Sequence, residues 1–264
     1  MSKFYLKSPI KTSGKCIVLG NGPSLKESLS QNIELIKKYD IVCVNSFAYS
    51  EYFEILKPQN YVLLDDYYFS TDYQTAENRV TIAQSFDKFK IIDWKINFFI
   101  PVKGKKSHLV TSILSQNKNV TITYFNYVVT EGFSGFRNFI FRNNLGMPQC
   151  QNILSAALFL TVNRNYNEIY LLGADHSWHQ DFSVQQDNKM MINDTHFYDK
   201  DKIKPVNLSD RSEYKLTIST LFLSLYKAFR SYDIIKLYAD SRGVKIYNAS
   251  VKSFIDSFKK KEIN

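Results

Sequence analysis

The sequence predicts an α/β protein: a mostly parallel sheet with helices on both faces and a polar, lid-like region set into it. Three observations carry that prediction. Short apolar runs alternate with helix-period segments from residue 15 onward, those runs end in Gly, Asn or Asp, and residues 176–212 abandon both periods.

"KCIVLG" (15–20) is a continuous apolar run closed by Gly20, the pattern of a strand covered on both faces. After Pro23, Leu25, Leu29, Ile33 and Ile36 recur near helical spacing, with a break expected near Ser30-Gln31. "DIVCVNSF" (40–47) and "QNYVLLDD" (59–66) are the next two strands. Strand, helix, strand, short helix, strand is a βαβαβ unit, which builds a parallel sheet with right-handed crossovers. "KFKIIDW" (88–94) and "VTITYFNY" (120–127) are expected as further strands. In "CQNILSAALFLTVNR" (150–164), Ile153, Ala156, Ala157, Leu160 and Thr161 share one helical face. "NEIYLLGAD" (167–175) is another buried strand. After 176–212, residues 211–243 resume as one or two helices with Gly243 as C-cap, and "VKIYNAS" (244–250) is a last strand. A terminal helix is expected over 250–261, because Val251, Phe254, Ile255 and Phe258 fall on one helical face. Residues 1–264 read as one domain, with no linker interrupting the pattern.

Composition narrows the function classes. At 44% apolar residues a sizeable core is available, and disorder is excluded as a general description. The net charge of +9 suits phosphate-bearing ligands or anionic lipid. The basic residues are dispersed, however, and no nucleic-acid-binding motif accompanies them, so nucleic acid is not the expected partner. Cys16, Cys43 and Cys150 are isolated, without metal-ligand spacing, and are expected as buried thiols of a reducing compartment. No apolar signal core opens the chain and no stretch approaches a membrane span, so a soluble cytoplasmic protein is expected. The 250–261 helix would pack on its own domain. It would also suit peripheral docking on the inner face of the membrane; homo-oligomer formation is open.

In an open parallel sheet, ligands bind beyond the carboxyl ends of the strands. Those ends carry Gly20-Asn21-Gly22, Asn45-Ser46, Asp65-Asp66, Gly173-Ala174-Asp175 and Asn248-Ala249-Ser250. Each alone is ordinary turn chemistry; together they describe a polar crevice along one edge. Within Gly-Asn-Gly-Pro-Ser, glycine permits close backbone approach, Pro23 suits a first helical turn, and the helix-start amides favour an anion. Neither the dinucleotide fingerprint nor the phosphate loop is present. Asp65 and Asp66 can hold Mg²⁺ through phosphates, or one can cap a turn. His176 and His179 beside Asp175 and Asp181 superficially resemble a metal cluster, but no Cys joins them, and no metal site is assigned.

"VLGNGPSL", "IVCVNSF" and "EIYLLGAD", in that order, resemble the bacterial sialyltransferases of glycosyltransferase family 42. They are equally similar to the archaeal-type 6-hydroxymethyl-dihydropterin diphosphokinases and the motility-accessory glycosyltransferases. The resemblance implies a Rossmann-like, GT-A-variant fold with 176–212 as an active-site lid. It implies a nucleotide-sugar donor, such as a CMP-linked nonulosonic acid, held by Gly20, Asn21, Gly22, Ser24 and Asn45. Asp65 and Asp66 stand where the transferases have Asn, and Gln151-Asn152 where they have Thr-Ser-Gly. Gly173 and Asp175 belong to the last of the three segments. Two tyrosines that steady the leaving phosphate in the transferases are absent from "HSWHQDF", leaving His176, Trp178 or His179 in that stretch. "NDTHFYDKD" offers His196 as catalytic base with Tyr198 beside it. An imidazole, with unperturbed pKa about 6.5, can take the proton of an acceptor hydroxyl near neutral pH. The expectation is an inverting transferase extending a bacterial surface glycan and requiring no cofactor. A Mg-ATP diphosphokinase and a non-catalytic nucleotide-binding module are the alternatives, and Mg²⁺ enters only in the former.

Overall fold

The computed structural model describes residues 14–70, 79–192, 196–198, 206–207 and 217–264. Eight strands make one wholly parallel sheet: β1 (Lys15–Leu19), β2 (Asp40–Val44), β3 (Asn60–Val62), β4 (Ile96–Pro101), β5 (Val120–Phe125), β6 (Glu168–Leu172), β10 (Lys245–Asn248) and β11 (Lys259–Lys260). Their spatial order is β11-β10-β6-β1-β2-β3-β4-β5.

The central strands bury both faces, which is why they read as unbroken apolar runs. Cys16, Val18, Val42, Val44, Ile169 and Leu171 point to one side, under helices α5 (Ile153–Asn163) and α6 (Ile218–Ser241). Ile17, Leu19, Ile41, Cys43, Tyr170 and Leu172 point to the other. There they meet α1 (Leu25–Ile36), α2 (Tyr52–Leu56) and α3 (Arg79–Lys90). The expected α/β, Rossmann-like architecture with helices on both faces is therefore present. All three cysteines are buried free thiols. The anticipated break in α1 falls at Asn32, whose φ of −128° leaves the helical region.

Two expectations are corrected and one helix is added. Residues 88–94 are not a strand: α3 runs to Lys90, because Ile82, Phe86 and Phe89 form one buried helical face. The strand is displaced to Ile96–Pro101, buried along its whole length. A further helix, α4 (Ser134–Arg142), was not expected. Finally, 250–261 forms no helix. The buried Asn248 amide donates to the Ile255 carbonyl, Phe254 N–H donates to the Asp175 carbonyl, and Lys261 N–H donates to the Asn248 carbonyl. Those bonds to the sheet replace the ones a helix would make internally, and Ile255 and Phe258 enter the core instead of facing outward.

The region after β6 holds a short antiparallel sheet of β7 (Phe182–Val184), β8 (Met190–Ile192) and β9 (Val206–Asn207). No described helix is long and apolar enough to cross a membrane.

Candidate functional site

The chain leaves β1 for β2 on one side, while β6 pairs with β1 on the other, so the topological switch point lies at the carboxyl ends of β1 and β6. The Gly20–Ser24 turn sits there and is tied to β6: Gly20 N–H donates to the Leu172 carbonyl at 2.8 Å and Gly22 N–H to the Gly173 carbonyl at 2.9 Å. A Cβ on Gly20 would lie 2.4 Å from the Gly173 carbonyl oxygen, and one on Gly22 would lie 2.7 Å from both that oxygen and Asp175 Oδ1. Glycine is demanded here by the approach of two strand ends rather than by a ligand. Ser24 N–H donates to Asp175 Oδ2 at 2.8 Å, and Ser24 Oγ–H donates to Asp175 Oδ1. Ser24 and Asp175, both expected at the ligand, are thus partners of each other. The carboxylate satisfies the first-turn amide that a phosphate was expected to take.

Asn21 and Asn45 come together. The Asn21 Nδ2 amide donates to the carbonyl of Val44, the residue before Asn45, at 3.3 Å. That bond orients the side chain and leaves Asn21 Oδ1 buried without a hydrogen-bond partner among the described residues. Asn45 has φ of +39°. Its carbonyl accepts from Tyr61 Oη at 2.5 Å and its Oδ1 from Leu64 N–H at 3.3 Å. Tyr61 Oη also accepts from Ala48 N–H at 2.8 Å, so one buried phenol fixes the turn after β2.

The two acids diverge. Asp65 Oδ1 accepts from Tyr67 N–H at 3.2 Å and caps the following turn, and burial raises the Asp65 pKa. Asp66 is exposed and pairs with Lys103, whose ammonium also lies 5.9 Å from the Tyr127 ring centroid. Of the two readings left open, capping is the one Asp65 displays. Among the described residues, no group of three or more His, Cys, Asp or Glu is placed to hold a metal ion.

At the start of α5, Gln151 is exposed, while Asn152 is the N-cap and accepts from Ser155 N–H at 3.0 Å through Oδ1. Tyr232 Oη, reaching across from α6, donates to the same oxygen at 3.0 Å. His176 follows Asp175 with φ of +54° and is buried. Its Nε2 lies 2.6 Å from Tyr232 Oη, and its ring packs at a 41° tilt against Trp178, with centroids 4.3 Å apart. Burial drives its pKa down to about 3, so the imidazole is neutral. His179 is exposed, edge-on to Phe254.

Residues 196–198 lie directly on the turn. Phe197 N–H donates to the Asn21 carbonyl at 3.1 Å, and the buried Phe197 ring packs against Phe47 and Tyr52. His196 and Tyr198 flank it with near-parallel rings 5.1 Å apart, and Tyr198 meets Tyr49 edge-on. Asn21, Asn45, His196 and Tyr198 therefore gather beyond the ends of β1 and β2, and Asn152 and His176 are linked through Tyr232. Asp66, Gln151 and His179 are exposed and share none of these contacts. Tyr61, Phe197 and Tyr232 were not anticipated from sequence, where each reads as core.

No family model and no curated protein matches the chain. Among solved structures it is similar to the MAf glycosyltransferase from Magnetospirillum magneticum AMB-1, with a TM-score of 0.52 and 13% sequence identity. The match covers 97% of this chain and 34% of that one, so the chain spans about a third of that protein's length. At this identity the likeness is one of fold.

Proposed function

We propose that the chain is an inverting glycosyltransferase that takes a nucleotide-activated sugar, a CMP-linked nonulosonic acid by its motif resemblance, and transfers it to a surface-glycan hydroxyl. The observation that carries this reading is the Phe197 N–H bond to the Asn21 carbonyl. It joins the histidine-bearing segment to the Gly-Asn-Gly turn at the switch point, where a parallel sheet binds its ligands. The fold shared with a glycosyltransferase is consistent with it.

In the reaction, the acceptor oxygen forms a bond to the anomeric carbon as the bond from that carbon to the nucleotide phosphate breaks. His196 takes the acceptor proton, and the nucleoside monophosphate leaves with the electron pair. A correctly held general base contributes roughly 10²–10⁴-fold to such a step. Asn21 and Asn45 hold the nucleoside, and Tyr198 keeps the His196 ring in place by stacking. Asp175 acts at one remove, by clamping the turn through Ser24.

A thermal-shift screen with CMP, UDP, GDP and ADP tests the ligand class: CMP is expected to raise the melting temperature most. His196→Ala is expected to abolish transfer while retaining the CMP shift. Transfer at the parental rate by that variant would remove His196 from the mechanism.

A further inference from the structure

Hydrogen-bond direction can be followed through His176, Tyr232 and Asn152 from an unambiguous donor. Ser155 N–H can only donate, so the Asn152 atom it meets at 3.0 Å is Oδ1. Tyr232 Oη lies 3.0 Å from that same oxygen, which accepts only, so the phenol gives it its single proton. Tyr232 Oη must then accept at its other contact, the 2.6 Å one to His176 Nε2. The imidazole therefore carries its proton on Nε2. The relay ends at the other half of the amide: Asn152 Nδ2, a buried atom with no hydrogen-bond partner among the described residues. Buried donors are almost always paired, so this orphan, at a helix start joined through Tyr232 to the residue that follows Asp175 beyond β6, asks for a partner that the described residues do not supply.

The geometry points to His176 and Tyr232 as positioning residues, a relay that holds the Asn152 amide with its NH₂ free to donate to an oxygen of the bound nucleotide. This rests on the transferase reading and deepens it. His176, on its buried backbone of positive φ beside Trp178, acts at two removes from the ligand and takes no proton from substrate. Without the relay, the hydrogen bond that the amide keeps among the described residues is the one from Ser155 of its own helix.

Two measurements decide it, one without ligand and one with CMP as probe. In ligand-free protein, ¹⁵N NMR should show His176 neutral and protonated at Nε2. It should show the Asn152 side-chain amide resonances moving in Tyr232→Phe and His176→Leu but staying near parental positions in His176→Gln, whose amide nitrogen supplies a donor at similar reach. By calorimetry, Tyr232→Phe and His176→Leu should weaken CMP binding about tenfold, and His176→Gln should recover most of that loss. An Nδ1-protonated ring or unmoved Asn152 resonances would overturn the relay. So would equal loss in all three variants, which marks a packing role only. If the parental chain binds no nucleotide, the transferase reading falls, and the ligand-free spectra alone judge the relay.

Discussion

Replacing Gly20 by alanine puts a methyl carbon 2.4 Å from the Gly173 carbonyl oxygen and 3.0 Å from its carbonyl carbon. Both neighbours are backbone, held in the sheet by the Gly20 N–H bond to Leu172 and the Gly22 N–H bond to Gly173, so neither can swing aside. Relief requires β1 and β6 to separate by close to an ångström where the site is built. Overpacking of this kind costs about 1–3 kcal/mol, and the rigid backbone obstacle puts Gly20→Ala near the top, about 3 kcal/mol. For a chain of this size that lowers the melting temperature by about 6–12 °C. Gly135→Ala is the control: it lies in the first turn of α4, its nearest neighbour would be 3.7 Å away, and alanine there favours the helix by up to about 1 kcal/mol. Differential scanning calorimetry of both variants should give opposite signs. A Gly20→Ala protein melting within about 1 °C of the parent would refute the claim that packing, and not ligand approach, demands this glycine.

Three further outcomes follow from the same structure. Tyr61→Phe leaves the Ala48 N–H and Asn45 carbonyl without their buried partner and should cost about 1–3 kcal/mol in urea denaturation, with CMP affinity falling as Asn45 loosens. Phe197→Ala strips the ring that anchors 196–198 against Phe47 and Tyr52, so the Phe197 amide should exchange hydrogen faster while core amides of β1 keep their protection. The third concerns pH. Burial holds the folded His176 ring down to about 3, whereas an unfolded histidine titrates near 6.5, so the unfolded chain binds the extra proton between those values. Its contribution is complete above about 6.5 and is lost as pH falls through that window. Between pH 7 and pH 5 the loss is about 2 kcal/mol, and His176→Gln, which does not titrate, should show an acid limb shallower by that amount.

What the sequence made legible was set by local pattern. β1, β2 and β6 are buried on both faces, so their apolar runs were unbroken, and α5 carried its N-cap and periodicity in one short stretch. The C-terminal segment misled because Val251, Phe254, Ile255 and Phe258 fit a helix, while the atom that prevents one, the Asn248 amide, belongs to another element. The 88–94 stretch misled because β-favouring Ile91-Ile92 follow directly on a helix whose buried face lies further back. At the site, the strand-end residues were readable from sheet chemistry, but their partnerships were not. Ser24 and Asp175 are 151 residues apart and His176 and Tyr232 are 56 apart, and only the fold makes each pair neighbours. Tyr232 repeats at helical spacing among apolar residues of α6, so nothing local separates it from core.

Amide chemical-shift mapping of the ¹⁵N-labelled chain with CMP tests the central claim most directly. The account predicts saturable shifts concentrated at Asn21, Gly22, Asn45 and Asn152, with Phe197 moving alongside them. Shifts confined to other surfaces, or none with any of the four nucleotides, would contradict it.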